Sequence, residues 1–549
     1  MMTQVGEATL TAWVQAIVAA RLHGWAREEP AEPAVVAEQL GLLLAQVLRA
    51  PAAALQPLEL VQRPVVEDGR TAITSAEALG IHPALAQLLA ERGATVTGSD
   101  ANGGEAFDRL AAAGLGVVLG HAAANVPPEA TLVVSTAIKE TNPELAIARQ
   151  RGQEVLHRSQ ALALAAQGRD FVAVAGAHGK TTTSGMLAEA LTEAGQEPSF
   201  AIGGVVRALG TGAHLGAGRA FVAEADESDR SFLNYTPRIA LVTNVEPDHL
   251  DNYGTPEAFE AAFVDFARRL VPGGLLVACA DDPGAARLAA SAVTEGLRVT
   301  TFGTAEPAFL GASHEAHTRL EITSRGAGST AAALIRTTPD GAQEQVSLAL
   351  RVPGDHVALD AAGAWTAGIE LGVAGQAMAD ALGAFGGTGR RFEDRGEARG
   401  VRVVDDYAHH PTEIEALLTT ARGVAAARDG RLLVLFQPHL FSRTAAFAPR
   451  FGTALAKADV VVVADVYPAR EVQEDFPGVN GGTIVAEVPG GGARFVPDRV
   501  EAAHAIAALA RPGDLLLTVG AGDVTALGEV VLADLAASPA PDGEAQGSR

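Results

Sequence analysis

A chain of 549 residues, 48% of them hydrophobic, is too long for one core and suggests roughly three or four domains. A formal net charge of −24 argues against nucleic acid and anionic membrane as partners, because both are held through a basic footprint that displaces counterions. The single cysteine, Cys279, excludes a disulfide framework and fits a reducing cytosol.

Residues 1–70 are rich in Ala and Leu, with turn signals at Glu29-Pro30 and Arg63-Pro64, and read as a helical extension without a chemical motif. The apolar stretch Leu10–Ala20 has no basic flank before it and is too short to span a bilayer. The expectation is a cytoplasmic protein with no membrane insertion. From Thr71 onward, short apolar runs alternate with amphipathic segments. Candidate strands are Ala94–Thr97, Thr131–Ser135, Phe171–Ala175, Ala220–Ala223, Ile239–Thr243, Leu275–Ala278, Val401–Val404, Leu432–Phe436, Val460–Ala464 and Leu515–Val519. Continuous apolar strands with helices between them imply parallel sheets. The fold class is α/β in three wound domains, 71–167, 168–388 and 389–536, with breaks near Ala165–Arg169 and Gly386–Gly389 and a flexible tail at 537–549.

Polar clusters follow several of these strands, which is where open α/β sheets bind ligands. Phe171–Ala175 runs into Gly176-Ala177-His178-Gly179-Lys180-Thr181-Thr182-Thr183 and then a helical stretch to Ala194. Strand, glycine loop and helix N-terminus make a phosphate cradle, because loop N–H groups and the helix dipole face the anion. Lys180 would neutralise the β- and γ-phosphates of a nucleotide, and the Thr181 hydroxyl would ligate Mg²⁺. Ala220–Ala223 leads to Glu224-Ala-Asp-Glu-Ser-Asp229, and Ile239–Thr243 leads to Asn244-Val-Glu-Pro-Asp-His249. A carboxylate and an imidazole at neighbouring strand ends, Glu224 and His249, suit Mg²⁺ bridging phosphates and an attacking oxygen.

These segments resemble the Mur ligase family. GAHGKTTT, EADESD, TNVEPDHLD, RRFEDRG, DDYAHHPTEI, FQPHLFSRT, YPAREV and GAGDVT stand in the order of its alanine-adding branch, from about Gly93 to Leu527. The resemblance implies a Rossmann-like first domain, a central P-loop ATPase-like domain and a Rossmann-like third domain. It implies an ATP-dependent ligase of peptidoglycan precursor synthesis, in which the γ-phosphate passes to the carboxylate of UDP-N-acetylmuramate. L-alanine then attacks the acyl phosphate. ATP and two Mg²⁺ ions are implied by the same resemblance. Carried over, the catalytic set is Lys180, Glu224, His249 and Arg391, with Thr181, Glu224 and His249 toward metal. Nucleotide contacts fall on residues 176–182, Asn244, His356 and Asp405, and substrate contacts on Ser135, His157, Arg158, Tyr407, His410 and Arg443. Later-acting branches place a carbamylated lysine a few turns after the DHLD histidine. Here no lysine stands between His249 and Val271, which favours the alanine-adding branch.

The chain departs from the family pattern at ligand positions. Ala76, Ala78, Leu79 and Ile81 stand where a diphosphate loop has glycines, with Glu77 and Gly80 among them. Leu440 replaces an arginine, and Gly212, Val357 and Asp360 replace asparagines. Two alternatives stay open on this account: a ligase acting on another carboxylate, such as a recycled muropeptide, and a non-catalytic ATP-binding paralogue.

Overall fold

The computed structural model describes residues 70–75, 81–101, 103–469 and 471–537. The expected helical extension and tail, apart from Arg70 and Ala537, lie outside the described residues, as do positions 76–80 of the altered glycine loop.

Three sheets follow one another along the chain. The first holds β1 (Arg70–Ser75), β2 (Thr95–Asp100), β3 (Gly116–Leu119), β4 (Thr131–Val134) and β5 (Val155–His157). All pairings are parallel, in the order β3-β2-β1-β4-β5. The winding reverses between β1 and β4, and such a switch point leaves a crevice beyond the carboxyl ends of the strands.

The second sheet runs β6 (Asp170–Ala175), β7 (Ser199–Val206), β8 (Thr211–His214), β9 (Ala220–Glu224), β10 (Ile239–Val242), β11 (Leu275–Cys279), β12 (Arg298–Gly303), β13 (His314–Arg325), β14 (Thr330–Thr337) and β15 (Gln343–Leu350). Its order is β15-β14-β13-β12-β11-β10-β6-β9-β7-β8. β9, β10 and β11 are buried at every position, as expected for parallel strands covered on both faces. Strands β7, β8 and β12 to β15 are not among the expected ones. β15 buries Val346, Leu348 and Leu350 and exposes the residues between, the alternation of an antiparallel strand with one open face.

Register explains how the site assembles. β6 lies between β9 and β10, with Val174 opposite Glu224 and Ala175 opposite Val242. The phosphate loop therefore leaves the sheet beside both acidic segments. The helix Lys180–Glu193 that follows packs against the helix Asp355–Glu370.

The third sheet holds β16 (Glu393–Ala398), β17 (Val401–Asp406), β18 (Leu432–Phe436), β19 (Val460–Val463), β20 (Ala493–Phe495) and β21 (Leu515–Val519), in the order β16-β17-β21-β18-β19-β20. Only β16 is antiparallel to its neighbour. The glycine-rich break before it is anchored, since Arg207 N–H donates to Gly387 O at 3.0 Å and Gly389 N–H to Val205 O at 2.8 Å.

Trp365, 0% exposed, is the largest fully buried side chain among the described residues, and its Nε1–H donates to Gly375 O at 2.8 Å. Trp365→Ala removes both packing and that bond, so the central transition in urea unfolding should lose about 3–5 kcal/mol. An unchanged midpoint would contradict the packing described.

Candidate functional site

Residues Gly176–Gly179 turn the chain from β6 into the helix that begins at Lys180. Gly176 has φ 134°, and a Cβ there would lie 2.2 Å from Thr243 Oγ1. Gly179 has φ 85°, and its Cβ would meet Asp360 Oδ1 at 2.8 Å. Both positions require glycine. Asn244 then fixes the loop: its Oδ1 accepts from His178 N–H at 3.0 Å and its Nδ2 donates to His178 O at 2.9 Å. The Thr243 hydroxyl donates to the same carbonyl at 2.5 Å. No side chain caps the helix after the loop, which leaves its positive end to an anion.

Lys180 Nζ donates to Gly176 O at 2.6 Å and to Glu227 Oε1 at 3.0 Å. Burial alone would lower the ammonium pKa, but Glu227, Asp226 and Glu224 outweigh it and raise the value. Glu224 accepts from Gly203 N–H at 2.6 Å and from the Thr181 hydroxyl; burial raises its carboxyl against the pull of these donors and of Lys180. Glu227 is likewise raised by burial, and its buried Oε2, 2.9 Å from Lys180 Nζ, lacks hydrogen-bond geometry. His249 has φ 52°, its Nε2 lies 3.7 Å from Asp248 Oδ2, and it is within electrostatic reach of Glu227. Tyr253 Oη and Asn252 Nδ2 donate to the Glu227 and Ser228 carbonyls at 2.5 and 2.9 Å, tying that turn to the acidic loop. Lys180, Thr181, Glu224 and His249 thus converge on one loop. Thr181, Glu224 and Glu227 offer hard oxygen donors, and the unsatisfied Glu227 oxygen is the kind of group a magnesium-class cation accommodates.

On the first-sheet side, Ser135 lies half-buried just beyond β4. Arg158 donates to Asp226 and lies 3.6 Å from Asp229. Burial opposes the guanidinium charge, but the two aspartates more than compensate. Asp229 also accepts from Thr136 at 2.5 Å and lies 3.5 Å from His157 Nε2.

On the third-sheet side, the Arg391 guanidinium lies over the Tyr407 ring at 4.9 Å and acts electrostatically on Glu224, Asp360, Asp406 and Glu413. Arg443 is 6% exposed and donates to both Asp248 oxygens at 3.0 and 3.1 Å. Asp405 is engaged within its own sheet, accepting from Thr518 and Thr525 hydroxyls at 2.7 and 2.8 Å. Its neighbour Asp406 accepts from Phe392 N–H at 2.8 Å, and burial pushes it up to about 6. His410 caps the helix Pro411–Ala426, and its ring lies 4.6 Å from that of His178. Burial would lower His178, but Glu246 and Glu413 raise it to about 9. Sequence reading gave no individual role to Glu227, Asp248 or Glu413. All three sit inside quoted motifs and were discoverable there; the pairing of Glu413 with His178, on a different sheet, comes only from packing.

A cavity of about 380 Å³ is lined by Thr304, Leu320, Ile322, Arg325, Asp355, His356 and Leu359. Burial lowers His356 to about 4, leaving a neutral ring beside an apolar wall, a combination suited to a flat heteroaromatic base.

Comparison with known proteins decides the family. The model of the Mur ligase family catalytic domain matches residues 68–170, that of the Mur ligase middle domain 174–368, and that of the Mur ligase glutamate ligase domain 390–522. A UDP-N-acetylmuramate–L-alanine ligase of Kineococcus radiotolerans is 54% identical over 82% of this chain and 92% of its own. The chain belongs to the Mur ligase family. A second alanine ligase, from Renibacterium salmoninarum, is 50% identical over 83% of this chain and 94% of its own. Among solved Mur ligases, the UDP-N-acetylmuramate–alanine ligase of Thermotoga maritima superposes with a TM-score of 0.68 at 27% identity, covering 84% of this chain and 98% of that one. A murein peptide ligase from Psychrobacter arcticus gives 0.64 at 25% identity, covering 86% and 100%.

Burial pushes the Asp360 carboxyl up to about 8 against the pull of Arg391. A folded-state value above the unfolded one means that stability from this group is lost as pH rises from about 4 toward 8. Asp360→Asn keeps the shape without the titration. Its melting temperature should therefore fall less than that of the unaltered chain between pH 5.5 and 8.5, and equal declines would remove this account of Asp360.

Proposed function

We propose that this chain is an ATP-dependent ligase that joins L-alanine to the carboxylate of UDP-N-acetylmuramate in peptidoglycan precursor synthesis. The observation that carries the reading is the convergence of Lys180, Thr181, Glu224 and His249 on one acidic loop beside a glycine-built phosphate cradle. It is supported by relatives of about half identity that span nearly their whole length and carry the alanine-ligase name. A non-catalytic paralogue would have no need to bury Lys180 together with Glu224, Asp226 and Glu227.

The chemistry must bring an anionic carboxylate against an anionic triphosphate, so catalysis is mainly positioning and charge stabilisation. In this reading the 176–182 loop cradles the phosphates and Lys180 steadies the transferring group. Arg391 approaches from the third sheet, and His356 lines the base pocket. Thr181 and Glu224, with His249 beyond Glu227, would hold Mg²⁺, which supplies charge neutralisation between the two anions. Ser135, His157 and Arg158 take the nucleotide-sugar side. Tyr407 and Arg443 take the amino acid, whose carboxylate matches a fork-shaped donor. The amine attacks the acyl phosphate and phosphate leaves. We assign residues 71–167, 168–388 and 389–536 to the sugar-nucleotide, ATP and amino-acid domains, and the cytoplasm as location. Among the described residues no helix is long and apolar enough to cross a membrane.

Phosphate release from ATP and Mg²⁺ should require UDP-N-acetylmuramate and L-alanine together. Release with other carboxylates alone would replace the acceptor, and none with any acceptor would end the enzymatic reading. Lys180→Gln, which keeps a donor toward Glu227, should lower turnover by about a thousandfold with an unchanged circular dichroism spectrum. Near-normal turnover would remove Lys180 from the mechanism.

A further inference from the structure

Beside the phosphate cradle, three side chains from three separate segments face one another: His178 on the loop, Glu246 after β10 and His410 at the start of the helix Pro411–Ala426. One nitrogen of each imidazole and one Glu246 oxygen all lie within 4.8 Å of one another. His178 Nε2 is 3.3 Å from Glu246 Oε2. That spacing matches the roughly 3.3 Å edge of a tetrahedron with bonds of about 2.0–2.1 Å to its centre.

An imidazolium lodged between Glu246 and Glu413 would account for His178 alone. It leaves the uncapped side of the His410 ring unexplained. That ring is 0% exposed, and its Nε2 has no hydrogen-bond partner. Its Nδ1 accepts from the first turn of the helix it caps, from Thr412 N–H at a long 3.4 Å, and ligation through Nε2 would exchange that weak contact for a proton on Nδ1. A buried unpaired ring nitrogen is costly, and here it belongs to a ring placed against a second imidazole.

The outer groups are those that orient metal ligands. His178 Nδ1 lies 3.4 Å from Glu413 Oε1, the carboxylate–histidine arrangement that fixes a ligating ring. Glu246 is steadied by the Thr412 hydroxyl at 2.8 and 3.0 Å and by Arg450 at 2.9 Å. Two imidazoles and one carboxylate favour a borderline cation such as Zn²⁺ over Mg²⁺, which prefers oxygen.

We propose that His178, Glu246 and His410 form a three-ligand site for a zinc-class divalent cation, distinct from the oxygen donors Thr181 and Glu224, that joins the phosphate loop to the third sheet's first helix. Solvent would complete the coordination. The proposal does not depend on which carboxylate the ligase activates.

The test is Zn²⁺ titration of the metal-stripped full chain by calorimetry, repeated with Co²⁺ and its visible absorption, in millimolar Mg²⁺. One ion should bind per chain. Glu246→Gln keeps the bonds to Thr412 and Arg450, and His410→Asn keeps a helix cap. Each should weaken binding at least about tenfold and reduce the Co²⁺ bands, while Glu224→Gln leaves both unaltered. Circular dichroism checks that each variant folds, and either ligand variant alone suffices for the comparison. Absence of binding by the unaltered chain would overturn the site. So would equal affinity in the ligand variants, or loss of binding only with Glu224→Gln.

Discussion

The grip of Asn244 on both backbone groups of His178 sets the rest of the site. A glycine loop left to itself has many conformations, because glycine gives up more freedom on folding than other residues. Here the strand beside it supplies a side chain that accepts from one loop N–H and donates to the matching carbonyl, and Gly176 admits the close approach. The loop is thereby registered against β10 rather than hung from β6 alone. Because β9 flanks β6 on the other side, Lys180 has no choice but to point among the carboxylates. Those charges are buried as a set. Removing one partner from such a set leaves another uncompensated, which costs more than the pair itself contributes.

The seams on either side of the central sheet are ionic. Arg158 meets Asp226 and Asp229 toward the first sheet, while Arg443 meets Asp248 and Arg450 meets Glu246 toward the third. Polar seams of this sort are typical where domains shift relative to one another. Their groups can trade one oxygen partner for another without opening an apolar surface to water.

Much of this was legible in the chain. The ten expected strands are present because continuous apolar runs mark strands covered on both faces. β1, β3, β5, β7, β8, β12 to β16 and β20 were not among them: several are short or polar, and alternating segments such as Gln343–Leu350 carry a weaker signal. The phosphate loop and its acidic neighbours could be read because each is contiguous. Partnerships such as Arg443 with Asp248 could not, since nothing local connects residues 195 positions apart. Adjacent strand residues face opposite sides, so a pair such as Asp405-Asp406 does not reveal which member looks outward. In the fold Asp405 is taken up by Thr518 and Thr525, and Asp406 lies under the influence of Arg391.

The contact between Arg443 and Asp248 makes the guanidinium an occupied donor. One terminal nitrogen of the guanidinium donates to both carboxylate oxygens, so the resident partner does not use the side-by-side geometry that two nitrogens offer a carboxylate. Any anion that displaced Asp248 through two parallel bonds would gain a geometry the resident carboxylate lacks, so the threshold for exchange is set within the fold itself.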